Sequence, residues 1–215
     1  MSRVKRGTRA GSVYLDLQKL ARRDRRPTDE LIDFYTLECF LDRLTRSGYS
    51  QQFVLKGGVL LAAFGERRPT RDIDLQASTI AAEAANVLLA IRTIAELELD
   101  DGLRFHAAGA TAEPIRDEGP YTGFRVSMLA SLATANSHFH VDVNFGDPIT
   151  PAPQQIRIPR LLTGEISLRG HPLSMVYAEK IVTAITRGTA NTRWRDFADI
   201  YLLTRSQPVA WLRTA

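Results

Sequence analysis

From Pro27-Thr28-Asp29 to Arg46 apolar residues recur at helical spacing, which predicts an amphipathic helix capped by Thr28 or Asp29 and closed by Ser47-Gly48. Phe53-Val54-Leu55 is a short apolar strand stopped by Gly57-Gly58, and Val59 to Phe64 is a short helix ended by Gly65. Pro69 then forces an extended approach to an alternating strand, Asp72-Ile73-Asp74-Leu75. Ser78 or Thr79 caps a long helix from about Ile80 to Glu98. Four strand-like stretches follow, Leu103 to Ala107, Gly123 to Leu129, His138 to Asn144 and Gln155 to Leu161. Pro172 suits the first turn of a helix running to about Arg187. Arg193 to Thr204 reads as a second helix, and Pro208 opens a third. The pattern is an α+β core over residues 27–170, followed by a helical C-terminal region over 171–215.

Charge changes this picture at one end. Residues 1–26 carry nine basic groups against Asp16 and Asp24, a balance of +7, although the chain of 215 residues is only +4 overall. The remainder is therefore mildly acidic, at −3. The segment reads as a basic arm with short helical periodicity over Tyr14 to Leu20. It is either laid against a phosphate backbone or left solvated and partly disordered. Hydrophobic residues make up 44% of the chain, enough for a core without metal or disulfide support. The single cysteine, Cys39, excludes an intrachain disulfide and sits in an amphipathic run as a core residue. No apolar stretch of signal-peptide or membrane-spanning kind is present, so a cytoplasmic protein with no membrane partner is expected.

Candidate chemistry is concentrated in Lys56-Gly57-Gly58 and, after thirteen intervening residues, Asp72-Ile73-Asp74. Residues two apart on a strand share a face, so Asp72 and Asp74 can hold common divalent ions while Ile73 and Leu75 enter the core. Aspartates are disfavoured in strands, and paired Mg²⁺ (or Mn²⁺) ions supply a reason for two on one face. Gly57 and Gly58, between strand and helix, would let a triphosphate approach backbone N–H groups. Asp142, in Val141-Asp142-Val143-Asn144, is either a third carboxylate and metal ligand beside the pair or a surface residue of a half-buried strand. Lys180, Ala184 and Arg187 lie near one helical stripe, and Asp196 and Asp199 sit three apart on the next helix. From spacing alone these read as solvated helices with salt bridges. His106, His138, His140 and His171 lack a metal-binding spacing and read as ordinary strand or loop residues.

Lys56-Gly57-Gly58, Arg71-Asp72-Ile73-Asp74-Leu75, Ala178-Glu179-Lys180 and Asn191-Thr192-Arg193 through Asp196-Phe197-Ala198-Asp199 stand in an order that resembles the AbiEii/AbiGii-type nucleotidyltransferase toxins, which include the MenT-like toxins of mycobacteria. The resemblance covers roughly residues 50–205 and implies a polymerase-β-like core with a mixed sheet. It also implies catalytic roles for Lys180 and Asp196, and nucleotide-binding roles for Lys56, Gly57, Gly58 and Arg71. The expected reaction is metal-dependent transfer from an NTP, with CTP or another pyrimidine nucleotide as donor, to the 3′ end of tRNA. Its partners are then tRNA, NTP and a cognate antitoxin. AMP transfer to a protein hydroxyl is the enzymatic alternative, and an RNA- or antitoxin-binding module the non-enzymatic one. Val59 departs from relatives that have Thr or Ser after the glycines, which removes a hydroxyl contact to the triphosphate. Thr70 is a candidate for regulatory phosphorylation, with Arg71, Arg67 or Arg68 available to capture the phosphate.

Overall fold

The computed structural model describes residues 4–65, 69–115, 123–146, 149–187 and 194–206. Arg67, Arg68, Asn191 to Arg193 and the expected helix at Pro208 lie outside these residues. Eight strands form one mixed sheet in the order β3-β5-β6-β2-β1-β8-β7, with β4 paired to the first half of β5. They are β1 Phe53–Lys56, β2 Asp72–Ala77, β3 Leu103–Phe105, β4 Thr111–Ile115, β5 Gly123–Leu132, β6 Ala135–Asn144, β7 Gln154–Pro159 and β8 Glu165–Gly170. The pairs β2–β6 and β1–β8 are parallel and the others antiparallel.

The helices are α1 Arg9–Asp24, α2 Thr28–Arg46, α3 Gly57–Leu60 (continued as a 3₁₀ turn over Leu61–Phe64), α4 Ala84–Ala95, α5 Leu173–Arg187 and α6 Trp194–Ser206. Strand alternation sends Leu55, Ile73, Leu75, Val126, Val141 and Val143 to one face of the sheet, where each is fully buried. Helix α2 packs on that face with Leu31, Leu37, Phe40, Leu41 and Leu44. Phe40, Phe105 and Phe139 meet there with ring centroids 5.6–6.0 Å apart. Cys39, 1% exposed, belongs to this core, as the sequence indicates.

The basic segment is not a loose arm for most of its length. Thr8 caps α1, its hydroxyl accepting from the Gly11 N–H at 3.0 Å, and Val13, Leu17 and Ala21 bury one stripe of the helix against the core. Gly102 makes this docking possible: a Cβ there would come within 2.6 Å of the Ala10 backbone. The full helical period from Arg9 to Asp24, rather than the short Tyr14–Leu20 run, provides the apolar stripe.

Helix α2 starts at Thr28 with Pro27 in the cap position and no side-chain cap bond. Helix α4 is shorter than the expected Ile80–Glu98. Ser78 does not cap it, because its N–H and hydroxyl both donate to the Gln52 carbonyl and prolong the β1–β2 pairing instead. Two strands have no counterpart in the sequence reading: β4, which contains Pro114 and is mostly exposed, and β8. The β5–β6 turn places Ala133 at φ 52, a left-handed conformation costing an L-residue roughly 1–2 kcal/mol. Ala133→Gly is therefore expected to stabilise the fold by up to about 1 kcal/mol, net of the freedom glycine adds to the unfolded chain. A thermal melt that falls would show that the turn needs the Ala133 methyl.

Candidate active site

The opposite face of the same sheet is polar. Because β2 pairs in parallel with β6, Asp74 stands beside Asp142 and Asp72 beside His140. Lys56 of β1 faces Asp74 from the other side, and Arg125 of β5 faces Asp142. One rung across four strands thus reads Lys56, Asp74, Asp142, Arg125. The neighbouring rung reads Asp72, His140, Ser127, with His140 Nδ1 and Ser127 Oγ 2.9 Å apart.

Asp74 is the most perturbed carboxyl of the group. Burial, then the charges of Asp142 and Asp72, push its pKa up to about 6, against the pull of Lys56 and of a hydrogen bond from the Gly58 backbone. Its position depends on Gly57, which adopts φ 67: a Cβ there would fall 1.9 Å from Asp74 Oδ2. The glycine first makes room for this carboxylate. Val59 turns inward, 8% exposed, beside a cavity of about 20 Å³ that it lines with Phe34, Leu37 and Thr70. A hydroxyl at this position would face the core, not the polar face.

Arg125 was not singled out from sequence. Its Nε and Nη2 donate to the two oxygens of Asp142 at 2.8 and 2.7 Å, a bidentate pair that raises the arginine's pKa, with further help from Asp72 and Asp74. Asp142 is next to the aspartate pair, yet its oxygens are committed to a guanidinium. Among the described residues no three His, Cys, Asp or Glu side chains form a metal cluster. A Mg²⁺ or Mn²⁺ site does not need one, since these ions bind through one or two carboxylates and keep water or phosphate ligands. Asp72 and Asp74 fit that requirement: a divalent cation held by them would offset the like-charge repulsion that adds to burial in raising Asp74.

Helix α5 reaches this face through a chain of polar contacts. Glu179 Oε1 lies 3.7 Å from Lys56 Nζ and 3.4 Å from Nδ1 of fully buried His171, whose Nε2 is 3.0 Å from Gln76 Oε1 on β2. Lys180, 9% exposed, donates to Asp196 Oδ1 at 3.1 Å and Asp199 Oδ2 at 2.6 Å. The structure thus brings Asp196 and Lys180 together. Asp199, 1% exposed, is the closer partner, and its i+3 spacing from Asp196 was the only trace of this in the sequence. Arg71 is exposed and donates to Asp33 of α2 at 2.9 Å. The Thr70 hydroxyl donates to the Asp72 carbonyl and accepts from the Asp72 N–H, at 3.4 Å each.

A family model described as nucleotidyl transferase AbiEii toxin, type IV TA system, matches residues 39–213. Among solved structures, JHP933 from Helicobacter pylori is similar with a TM-score of 0.53 and 14% identity, over 89% of this chain and 66% of that one. A candidate nucleotidyltransferase from H. pylori is similar with a TM-score of 0.50 and 14% identity, over 89% of this chain and 68% of that one. At such identity the likeness is one of fold, and this chain spans about two thirds of the length of those proteins. No curated protein matches. A family match across most of the chain, on a mixed sheet whose polar face gathers the Gly-Gly and Asp-x-Asp residues, identifies the chain as a nucleotidyltransferase belonging to the AbiEii toxin family of type IV toxin–antitoxin systems.

Proposed function

We propose that the chain transfers nucleotides from an NTP, with a pyrimidine nucleotide favoured, to the 3′ end of tRNA and so blocks translation in the cytoplasm until its antitoxin intervenes. The observation that carries the reading is the rung of Lys56, Asp74, Asp142 and Arg125, with Asp72 one step along the same face. The fold in this reading is a polymerase-β-like core completed by a helical C-terminal region. Asp72 and Asp74 hold Mg²⁺ or Mn²⁺, which when bound supplies charge stabilisation for the attacking and leaving oxygens. The acceptor 3′-hydroxyl attacks the α-phosphate, the bond to the β-phosphate breaks, and pyrophosphate leaves. Lys56 and the Gly57-Gly58 backbone receive the triphosphate, and Arg71, paired with Asp33 of α2, is the remaining nucleotide-binding candidate. Lys180, held by Asp196 and Asp199, offsets the charge of the departing pyrophosphate.

Labelled NTP incubated with total RNA and total protein tests this directly. Label in RNA of tRNA size is the expected result. Label in protein instead would make the reaction AMP transfer to a hydroxyl, and label in neither would leave a binding module.

Thr70 supplies the proposed point of control. It precedes Asp72 by two residues, and phosphate on its hydroxyl would add about −1.5 to −2 charge within two residues of the aspartate pair. Thr70→Glu is expected to lower transfer, and Thr70→Val to preserve it. Peptide mass spectrometry after co-expression with the antitoxin reads the site, and an inhibited sample with unmodified Thr70 would leave inhibition by direct binding.

A further inference from the structure

A groove of about 820 Å³ lies between α1 and the β5–β6 turn. Tyr14, Gln18 and Arg22, four residues apart in turn, line it from a stripe adjoining the buried Val13–Leu17–Ala21 stripe. Lys19 of α1, Asp29 at the start of α2 and Thr134 of the turn complete its main walls. Lys19 and Arg22 are exposed and Tyr14 is half-buried. Arg6, also at the groove, is paired with Asp16 at 2.7 Å. The groove belongs to the one segment in which positive charge is concentrated, while the remainder of the chain is net negative. Asp142 lies seven positions along β6 from Ala135, at the groove, roughly 23 Å at about 3.3 Å per residue. The groove is therefore well removed from the carboxylates, and α1 also precedes the residues matched by the family model.

We propose that this groove is a second RNA-binding site, holding an unpaired stretch of the acceptor RNA away from its 3′ end. Lys19 and Arg22 neutralise consecutive phosphates, Tyr14 offers a ring for a base to stack on, and Gln18 and Asp29 are hydrogen-bonding groups for base edges or ribose hydroxyls. Basic side chains along a groove with an aromatic among them are what single-stranded nucleic acid requires. An acidic protein segment would use the cations but has no need of the ring. The inference rests on RNA being the acceptor, and the experiment separates the two claims.

The test uses the full chain carrying Lys19→Glu and Arg22→Glu, both at exposed positions, with thermal melts to verify folding. Binding of labelled tRNA is followed by anisotropy across a salt series, and transfer is measured on whole tRNA and on a short hairpin with the same 3′ end. The expected result is at least tenfold weaker tRNA binding, with the slope of log affinity against log salt reduced by about 1.4, two contacts at about 0.7 each. Transfer to the hairpin should be unchanged while transfer to tRNA falls. Tyr14→Leu should weaken binding about tenfold and leave the slope intact. An unchanged salt slope in the double variant overturns the site, even if wild-type protein labels RNA. A lowered slope upholds the site even if wild-type protein transfers nothing to RNA, in which case the proposed reaction falls alone. Displacement of tRNA by polyglutamate as readily as by unlabelled RNA also overturns it, and makes the groove a surface for acidic protein.

Discussion

Asp74→Asn is expected to abolish nucleotide transfer and, with divalent metal chelated, to raise the thermal melt at pH 7. The two effects have one cause. Asp74 is crowded by Asp72 and Asp142 in a buried setting, and its pKa of about 6 in the folded protein stands above the ordinary 3.8. The folded state therefore holds this proton more tightly than the unfolded state does. The stability it contributes is complete below about pH 4 and is lost as pH rises through 6. The loss by pH 7 is on the order of 3 kcal/mol, and a protein of this size gains about 2 to 4 °C per kcal/mol recovered. Asparagine cannot ionise, so the variant's melt should stay level across the window in which the wild type declines. Added Mg²⁺ should raise the wild-type melt and leave the variant's unmoved. Melts that run parallel from pH 4 to 7 would assign the repulsion elsewhere, and transfer retained by the variant would remove Asp74 from catalysis.

Lys180→Met should lose activity by about 10² to 10³, the usual effect of removing one charge contact made in a transition state. Unlike a lysine in an open cleft, it should also lower stability, because the substitution withdraws an ammonium that donates to Asp199, a carboxylate only 1% exposed. This contact is one of those that seat helix α6: Phe197 and Tyr201 on it are exposed, and Asp199 and Leu203 are its buried side chains among the described residues. A second change separates the two losses. Lys180→Met combined with Asp199→Asn also removes the carboxylate charge that faced the ammonium, so the melt should recover part of its loss while transfer stays at the level of the single variant. Recovery of both would mean that Lys180 acts only by seating α6.

The shared face of Asp72 and Asp74 was legible because strand periodicity acts over two residues. So were the burial of Cys39 and the break at Gly57, each a matter of immediate neighbours. Asp142 was legible only as one of two alternatives, since its place beside Asp74 depends on the parallel pairing of strands far apart in sequence. Its bidentate commitment to Arg125 was not legible at all: Arg125 belongs to an antiparallel partner whose register is set by the Ala133 turn. The position of Val59 argues the same way. Its identity suggested a missing phosphate contact, and only the fold shows its side chain turned to the core. The charge of the first 26 residues was read correctly but its apolar stripe was underweighted, because Gly102, which lets α1 come close, lies far along the chain.

The rung that carries Asp74 joins strands that leave the ribosome at different times. Lys56 and Asp74 emerge early, Arg125 and Asp142 only after a further 51 and 68 residues, and β1 cannot pair with β8 until Gly170 has been made. Pairings between distant segments form late because the intervening chain must first be closed into a loop. A nascent or prematurely terminated chain therefore carries both aspartates without the guanidinium, the β8 pairing or the Lys180 ammonium around them. The polar face is thus assembled only in chains made at least as far as Gly170, and shorter translation products lack the β1–β8 pairing that completes it.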